Sequence, residues 1–234
     1  MAATRLKGKP LLAINNKPMI CHVIDKAMAA AIGDVFVATE DKEIMNVVEI
    51  NGGNAVLTGK HKTGTDRIFE AFKKLDLKNV DYVLNLQGDE PAIDKNDIIN
   101  LNQQMIKHNS EIGTLASKIK DKSIFKNRNV VKVITKEKLN EKNFSLALNF
   151  TRNDCQEDSK NTYHHVGIYS YRVKILEKFI NLPQSKNEIN HKLEQLRALD
   201  NDFKINIALA KSSPIGVDTQ EDYLAIKKIM EYKS

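Results

Sequence analysis

Hydrophobic positions change their period along the chain, and the first half alternates between two patterns. Apolar residues recur every three or four positions in four segments, which predicts helices over 18–31, 41–51, 63–75 and 94–108. Short apolar runs between them predict strands over 34–39, 54–59 and 81–87. This βαβα order favours an α/β fold with a Rossmann-like, mostly parallel sheet and helices on both faces. In such sheets ligands bind at the carboxyl ends of the strands.

The second half of the chain is richer in strands. Alternating or apolar segments predict strands over 112–119, 129–135, 144–150, 164–171 and 204–210. Helical spacing predicts helices over 173–181, 191–201 and 219–232. A polar stretch at 153–161 reads as a loop. Because no composition break marks a linker, we predict a single domain over 1–234, with a strand-and-helix excursion at about 140–202.

Composition narrows the class of protein. The net charge of +6 favours anionic partners, but no basic run is interleaved with aromatic residues, so nucleic acid is not expected as a partner. No apolar run reaches the roughly 20 residues of a membrane helix, and no membrane association is expected. The two cysteines, Cys21 and Cys155, are far apart in sequence and form no metal-binding or disulfide pattern. We therefore expect a cytoplasmic protein.

A carboxylate motif follows the third predicted strand. In Gln87-Gly88-Asp89-Glu90-Pro91, the glycine permits close backbone approach and Asp89 stands at the ligand-binding edge of the sheet. Mg²⁺ binds one or two carboxylates and shares its other positions with phosphate and water. The alternative is a turn in which Asp89 caps the next helix.

A second acidic motif, residues 216–222, precedes the last predicted helix. Asp218 is a second candidate metal ligand if its loop returns beside Asp89. A plain helix N-cap by Asp218 or Thr219 is equally compatible with this segment, and it is the better interpretation of Glu221 and Asp222.

Two further segments suit phosphate or hydroxyl groups. The basic loop 4–10 contains Arg5, Gly8 and Lys9, whose cations and backbone amides can surround phosphate oxygens, although it can also be an ordinary surface loop. Segment Thr63-Gly64-Thr65-Asp66-Arg67 begins a predicted helix, where free amides bind anions or a side chain merely caps.

Residues 164–171 and 193–197 carry the remaining polar chemistry. Alternation places His165, Gly167 and Tyr169 on one face of a strand and His164 on the other, although a strand histidine is more often structural. The chain has no zinc-ligand spacing, no Walker loop, no G-x-G-x-x-G and no G-x-S-x-G. These absences argue against phosphate-loop kinases, dinucleotide dehydrogenases and α/β-hydrolases.

Taken together, nine motifs resemble the bacterial 3-deoxy-manno-octulosonate (Kdo) cytidylyltransferases. In chain order they are TRLKGKPL, KPMI, VATED, TGTDR, LNLQGDEP, NVVKVI, HHVGIYSYR, LEQLR and GVDTQED. The resemblance implies a nucleotide-diphospho-sugar transferase type of fold and transfer of CMP from CTP to Kdo, with release of pyrophosphate, for lipopolysaccharide synthesis. It also implies Mg²⁺ as cofactor and a homodimer formed through the excursion.

The resemblance assigns a role to each matching position. Asp89 and Asp218 would hold magnesium, and Arg5 and Lys9 would bind the triphosphate. The cytidine pocket would be lined by Thr39, Thr63, Gly64, Thr65, Asp66, Arg67 and Gln87. The acid sugar would be bound by Arg152, His165, Tyr169, Glu194 and Gln195, with Arg152 the natural partner of its carboxylate.

Several positions depart from the family pattern. Lys7 and Gln220 stand where the family usually has proline, and NDCQEDSK after Arg152 lacks the usual Ile-Pro at the edge of the sugar pocket. The family also places an apolar strand and a Pro-Ala-Arg segment before Thr-Arg-Leu, whereas here Met1 stands just before this region. We therefore expect the natural protein to start upstream, with roughly ten further residues that include an apolar run and an arginine.

Two alternatives remain open at this point. One is transfer of CMP to a related acid sugar, such as an 8-amino-Kdo or a sialic-type acid. The other is a truncated, inactive homologue that binds nucleotide or a partner without turnover.

Overall fold

The computed structural model describes residue 6 and residues 8–156, 159–212 and 216–232. It contains ten strands, β1 (Ala13–Ile14), β2 (Lys17–Pro18), β3 (Val37–Thr39), β4 (Ala55–Leu57), β5 (Tyr82–Asn85), β6 (Ile112–Ser117), β7 (Lys132–Thr135), β8 (Ser145–Thr151), β9 (Thr162–Arg172) and β10 (Ile205–Leu209), within these described ranges. The same ranges hold eight α-helices, α1 (Met19–Ala30), α2 (Lys42–Ile50), α3 (Gly64–Leu75), α4 (Lys95–His108), α5 (Val173–Ile180), α6 (Lys186–His191), α7 (Gln195–Asp200) and α8 (Gln220–Glu231). The chain divides into two compact units.

The first unit comprises Met1–Val80, Asn85–Ile99 and Pro214–Ser234. Its strands β3 and β4 are parallel, with Val37 opposite Ala55 and Thr39 opposite Leu57, and α2 connects them. This is the βαβ arrangement that the sequence predicts, because a parallel pair needs a crossover connection. β1 and β2 form a small antiparallel hairpin whose turn has positive φ at both Asn15 and Asn16, as asparagine tolerates.

Helix α1 packs on both of its sides in the first unit. Met19 joins Ile14, Val217 and Ile226 in one buried cluster. Ile20, Cys21, Ile24 and Val48 form a second cluster. The periodic apolar positions of segment 18–31 thus pack against two separate groups of residues, one that includes Val217 and Ile226 and one that includes Val48 of α2.

The second unit comprises Asp81–Leu84 and Asn100–Ser213 and contains a six-stranded sheet in the order β5-β9-β6-β10-β8-β7. Every residue of β6 is buried, as expected of an inner strand. The α/β class is confirmed, but the sheet is mixed rather than mostly parallel. In the described pairings β6 and β10 are parallel, while β6–β9, β7–β8, β7–β9 and β8–β10 are antiparallel. The physical reason is that β7, β8 and β9 follow one another through loops that contain no crossover helix.

The helix predicted over 191–201 is shorter than expected, because α7 covers only Gln195–Asp200, and a separate short helix that was not predicted, α6 (Lys186–His191), precedes it. A capping box between Ser185 and Glu188 starts α6, and Lys192 ends it in the left-handed conformation with φ of 54°. Helix α7 begins afresh at Gln195. The break lets Arg197 donate to Glu188 through Nε at 2.8 Å and Nη2 at 2.6 Å, and both side chains are about 5% exposed. A buried ion pair therefore joins α6 and α7.

This ion pair makes a prediction about stability. Burial by itself raises the pKa of Glu188, but hydrogen bonds from Arg197 and Gln184 outweigh it and lower the pKa below 4.5. Glu188→Gln should lower the free energy of unfolding near neutral pH by about 3 kcal/mol, because the buried guanidinium loses its hydrogen-bonded carboxylate and keeps only the longer 3.8 Å contact with Glu194. The difference from the parent protein should shrink as pH falls below about 4.5, where Glu188 itself becomes protonated.

Urea unfolding at several pH values measures this. The matched control is Glu231→Gln, since Glu231 and Lys227 are both 40% exposed and 3.8 Å apart, and its effect should be at most about 1 kcal/mol. Equal effects of the two substitutions would contradict the prediction.

Candidate active site

Three charged side chains that are distant in sequence meet in the first unit. Lys9 Nζ lies 2.7 Å from Asp89 Oδ2 and 3.3 Å from Asp218 Oδ1. The lysine side chain is 10% exposed, whereas those of Asp89 and Asp218 are 30% and 75% exposed. The two carboxylates therefore face a shared position that is open to solvent on one side.

Backbone contacts explain why the two acidic loops lie side by side. Val217 N donates to Asp89 O at 2.9 Å, and the fully buried Val217 side chain anchors the loop that carries Asp218. A Cβ at Gly88 would come within 3.0 Å of Ile20 Cδ1, so glycine lets the chain pass close to α1 here. The loop that carries Asp218 therefore returns beside Asp89. This is the arrangement that Asp218 needs as a candidate second metal ligand.

A short 3₁₀ turn places Lys9. It spans Lys9–Leu11, follows Gly8 with φ of 68°, and contains Pro10 near its start. The positive φ suits glycine, and the proline suits the first turn.

The charges of this cluster are asymmetric. Burial lowers the pKa of Lys9, but the carboxylates of Asp89 and Asp218 outweigh it and raise the pKa above 10.5, so Lys9 remains a cation. The neighbouring Glu90 behaves differently, because burial and the charge of Asp89 raise its pKa to about 8. Glu90 is thus mostly protonated at neutral pH and adds no third negative charge.

The donor set suits a magnesium ion. The described residues contain no cluster of three or more His, Cys, Asp or Glu side chains that could hold a metal. In the structure, the Lys9 ammonium lies between the carboxylates of Asp89 and Asp218. Mg²⁺ likewise uses one or two carboxylates as ligands, with phosphates and water completing its coordination shell. Asp89 and Asp218 therefore fit the metal that the resemblance implies.

The residues expected at the cytidine lie near strand and helix ends in the first unit. Thr39 ends β3 and accepts a hydrogen bond from Asp41 N at 3.1 Å. Thr63 caps α3 by accepting from Asp66 N at 3.1 Å, so the capping interpretation of this segment holds. Gly64 and the buried Thr65 form the first turn of α3 with Asp66, and Gln87 follows β5.

Arg67 pairs with a residue that the sequence analysis did not single out. Its Nη2 lies 3.5 Å from Glu40 Oε1, and both side chains are partly exposed. Arg5, expected at the triphosphate, lies outside the described residues.

Four residues expected at the sugar come together in the second unit. The rings of His165 and Tyr169 are 5.4 Å apart, although residues four apart in a regular strand are separated by about 13 Å. A bulge explains the difference: Thr114 pairs with Tyr169 while the next residue, Leu115, pairs with Val166. Because two extra residues are accommodated, His165 and Tyr169 stay on one face of β9 as predicted.

The other members lie around this pair. Glu194 contributes, after burial and Tyr171, to raising the pKa of Tyr169 well above 10. Arg152 contributes, after burial and His164, to lowering the pKa of His165 to about 3. Gln195 begins α7 and is half-buried.

A buried lysine that was not predicted from the sequence, Lys132, holds the backbone of Arg152 by a hydrogen bond. Lys132 is fully buried, and its Nζ donates to Asn127 O at 3.0 Å and to Arg152 O at 3.1 Å. Arg152 Nη1 in turn donates to Asn129 O at 2.7 Å. The signal in the sequence was a single lysine at an inward position of the strand NVVKVIT, which alternation alone does not distinguish from an exposed one.

The residues expected at the sugar also include a polar atom without a partner. The buried hydroxyl of Tyr169 makes no hydrogen bond to any residue that the structure describes. Such a group costs about 1–3 kcal/mol, which a hydroxylated ligand would recover.

The fold and the site define a class of protein, the nucleotidyltransferases. The structure resembles that of apo-UDP-glucose pyrophosphorylase, with a TM-score of 0.70 over 100% of this chain and 96% of the other at 14% identity, which shows the shared fold. It resembles more closely the solved CMP:2-keto-3-deoxy-manno-octonic acid synthetase complexed with CTP, with a TM-score of 0.88, 34% identity, and 99% and 95% of the two chains covered.

Sequence comparison then narrows the class. The chain belongs to the cytidylyltransferase family, whose model matches residues 1–205. A relative from Thermodesulfovibrio yellowstonii named 3-deoxy-manno-octulosonate cytidylyltransferase is 43% identical over 97% of this chain and 94% of its own length. A relative of the same name from Rhodopseudomonas palustris is also 43% identical, over 99% of this chain and 95% of its own. No helix among the described residues is both long and apolar enough to cross a membrane.

Asp89→Asn should lower magnesium-dependent pyrophosphate release by about a hundredfold or more, because the metal loses a charged ligand. The melting temperature should change little, since a partly exposed ion pair contributes about 1 kcal/mol or less. Turnover across a magnesium titration and thermal unfolding measure the two effects. Asp25→Asn is the matched control, because Asp25 pairs with Lys17 at 2.5 Å on the surface. Near-normal turnover of the Asp89→Asn enzyme would contradict the assignment.

His165 predicts a dependence of stability on pH. Its pKa is about 3 in the folded protein against an ordinary 6.5, so the unfolded state binds a proton first as pH falls. The resulting stability is fully present above pH 6.5 and is lost by up to about 1.4 kcal/mol per pH unit toward pH 3. Between pH 7 and 4.5, His165→Gln should therefore lose stability less steeply than the parent protein. His191→Gln, which changes an exposed histidine, is the matched control in the same urea titrations. Parallel slopes for the parent and His165→Gln would contradict the prediction.

Proposed function

We propose that this protein transfers CMP from CTP to 3-deoxy-D-manno-octulosonate, forming CMP-Kdo and pyrophosphate for lipopolysaccharide synthesis. The observation that carries the proposal is 43% identity, over nearly the whole chain, to relatives that bear the name of this activity. The position of Asp89 and Asp218 on either side of the Lys9 ammonium supports the proposal, because two such carboxylates suit a metal-bound triphosphate.

The reaction is a displacement at phosphorus. The anomeric hydroxyl oxygen of the sugar forms a bond to the α-phosphorus of CTP, the bond from that phosphorus to the α–β bridging oxygen breaks, and the hydroxyl proton is released. Magnesium held by Asp89 and Asp218 would screen the negative charge and lower the pKa of the hydroxyl. No covalent enzyme intermediate is needed, so the protein's task is positioning and charge stabilisation.

The residues of the first unit serve the nucleotide in this proposal. Lys9 remains protonated and, once a metal neutralises the carboxylates, its ammonium is available to phosphate oxygens. Arg5 is proposed to bind the triphosphate with Lys9. The cytidine would be held by Thr39, Thr63, Gly64, Thr65, Asp66, Arg67 and Gln87, and the 3.5 Å contact between Arg67 and Glu40 leaves the partly exposed guanidinium able to reach the nucleotide.

The residues of the second unit serve the acid sugar. Arg152 would bind its carboxylate, because its guanidinium is half-exposed and its backbone is held by Lys132. His165, Tyr169, Glu194 and Gln195 would bind its hydroxyl groups. The unpartnered hydroxyl of Tyr169 supports a hydroxylated ligand.

The test is direct. Purified protein with CTP, Mg²⁺ and Kdo should release pyrophosphate and form CMP-Kdo, followed by phosphorus NMR. Competition with 8-amino-Kdo and a sialic acid distinguishes the sugar, and Kdo should be preferred. Nucleotide binding without pyrophosphate release would contradict the proposal.

Arg152→Ala should raise the KM for Kdo by about tenfold or more, because it removes a charge-assisted contact of roughly 1.5–3 kcal/mol. The KM for CTP should stay within about twofold. Steady-state kinetics with each substrate varied in turn measure both constants, and Arg128→Ala is the control, since Arg128 is 77% exposed nearby and pairs with Asp154. If both constants rise equally in Arg152→Ala, the division of the site is wrong.

The proposal extends to a cytoplasmic homodimer. Both cysteines are free, as expected in a reducing compartment. The excursion at about 140–202 carries two large apolar side chains, Leu148 and Ile189, that are 59% and 57% exposed. Light scattering should give twice the chain mass, and Leu148→Asp should reduce it.

A further inference from the structure

Thr114 lies in the buried strand β6 and is fully inaccessible to solvent. Its Oγ1 is 2.6 Å from Ile168 O, 3.1 Å from Val166 O and 3.0 Å from His165 Nε2. One hydroxyl thus touches three groups of β9, all at or beside the bulge that brings His165 to Tyr169.

The number of protons available for these contacts determines which ring nitrogen of His165 is protonated. A threonine hydroxyl carries one proton, and the two carbonyl oxygens can only accept. The proton therefore goes to the carbonyls, most directly to Ile168 O at 2.6 Å. The contact with the imidazole can then only be a hydrogen bond that His165 Nε2–H donates to the hydroxyl oxygen. A neutral imidazole with a proton on Nε2 has an unprotonated Nδ1.

The same hydroxyl holds the bulge in shape. Val166 O and Ile168 O flank Gly167, and both lie within hydrogen-bond distance of the Thr114 hydroxyl, at 3.1 Å and 2.6 Å. This clasp keeps two residues of β9 outside the regular pairing with β6, which is why the rings of His165 and Tyr169 lie 5.4 Å apart. The edge of Phe150 closes the other side of His165 at 5.2 Å.

We propose that Thr114 is a positioning residue for the sugar subsite, which fixes His165 as the Nε2–H tautomer and so presents Nδ1 as a hydrogen-bond acceptor to a hydroxyl of the acid sugar. This inference rests on the proposed function, in which His165 binds the sugar. It favours sugars that carry the matching hydroxyl, because such a sugar gains a hydrogen bond to Nδ1 that other sugars lack.

Burial supports the role of a neutral acceptor. His165 is 9% exposed, and burial lowers its pKa to about 3, so the ring carries no charge at neutral pH. Among the described residues its Nδ1 has no hydrogen-bond partner in the protein, whereas Nε2 is engaged by Thr114.

The experiment uses two near-isosteric substitutions and a matched control. Thr114→Val removes the hydroxyl and keeps the shape, and Thr114→Ser keeps the hydroxyl. Thr135→Val is the control, because Thr135 is 1% exposed in β7 and its hydroxyl likewise donates to a carbonyl, Glu137 O at 2.7 Å. The readouts are the KM values for Kdo and CTP and the ring ¹⁵N signals of His165, assigned by their loss in His165→Gln.

Thr114→Val should raise the KM for Kdo by about five- to tenfold, as expected for one misplaced hydrogen bond, with the KM for CTP within about twofold. Thr114→Ser should restore the parent value, and Thr135→Val should leave both constants unchanged. His165 should show the Nε2–H tautomer in the parent and in Thr114→Ser, and a mixture of tautomers in Thr114→Val.

Two results would overturn the inference: an Nδ1–H tautomer in the parent protein, or an unchanged KM for Kdo in Thr114→Val. The tautomer of the parent decides the matter even if Thr114→Val does not fold. A failure of the underlying proposal has a different signature, since His165→Gln would then leave the KM for Kdo unchanged while the parent still shows the Nε2–H tautomer.

Discussion

The repulsion between two neighbouring carboxylates, Asp89 and Asp218, is the constraint on which the charged cluster of the first unit depends. Asp89 and Asp218 come from parts of the chain far apart in sequence, and a backbone hydrogen bond from Val217 to Asp89 holds their loops together. Lys9 makes this arrangement stable in the absence of a ligand, because its buried ammonium lies within 3.3 Å of both. Because Glu90 is mostly protonated at neutral pH, it adds no third negative charge to this cluster. In the proposed function, a metal and phosphates would replace part of this neutralisation by Lys9.

The second unit, for which sugar binding is proposed, uses a different principle, since its polar groups are held by hydrogen bonds in a buried setting. Thr114 engages His165, and Lys132 engages the backbone of Arg152. Burying such groups is unfavourable unless each donor and acceptor is paired, and the pairs therefore fix one geometry. The Tyr169 hydroxyl is one of several buried polar atoms of this unit that have no hydrogen-bond partner among the described residues. In the proposed function, the first unit would recognise the triphosphate by charge and the second unit would recognise the sugar by directional hydrogen bonds.

Short helices and irregular strands carry much of the recognition surface. The left-handed residue Lys192 separates α6 from α7 and lets Arg197 reach Glu188, which fixes the segment that begins with Glu194 and Gln195. The bulge in β9 does the same for His165 and Tyr169. In both places a departure from regular structure brings side chains together that a regular helix or strand would keep apart.

The sequence by itself determined the order of the longer helices and strands, because the apolar period is a local property that survives in any tertiary setting. It did not predict the two-residue strands β1 and β2 or the short helix α6, which are too short to show a period. It also identified Asp89, Asp218 and Lys9 as candidates, and the family through motifs spread over the whole chain. It could not determine the mixed direction of the sheet, since pairing between β7, β8 and β9 depends on which edges meet. The sequence also could not predict a role for Thr114, Lys132 or Glu90, which look like ordinary strand or turn residues. Their roles arise from burial and from partners 20 or more residues away for Thr114 and Lys132, and from burial beside Asp89 for Glu90. Only the tertiary structure supplies that burial, and burial is what turns a hydroxyl, an ammonium or a carboxyl into a positioned group.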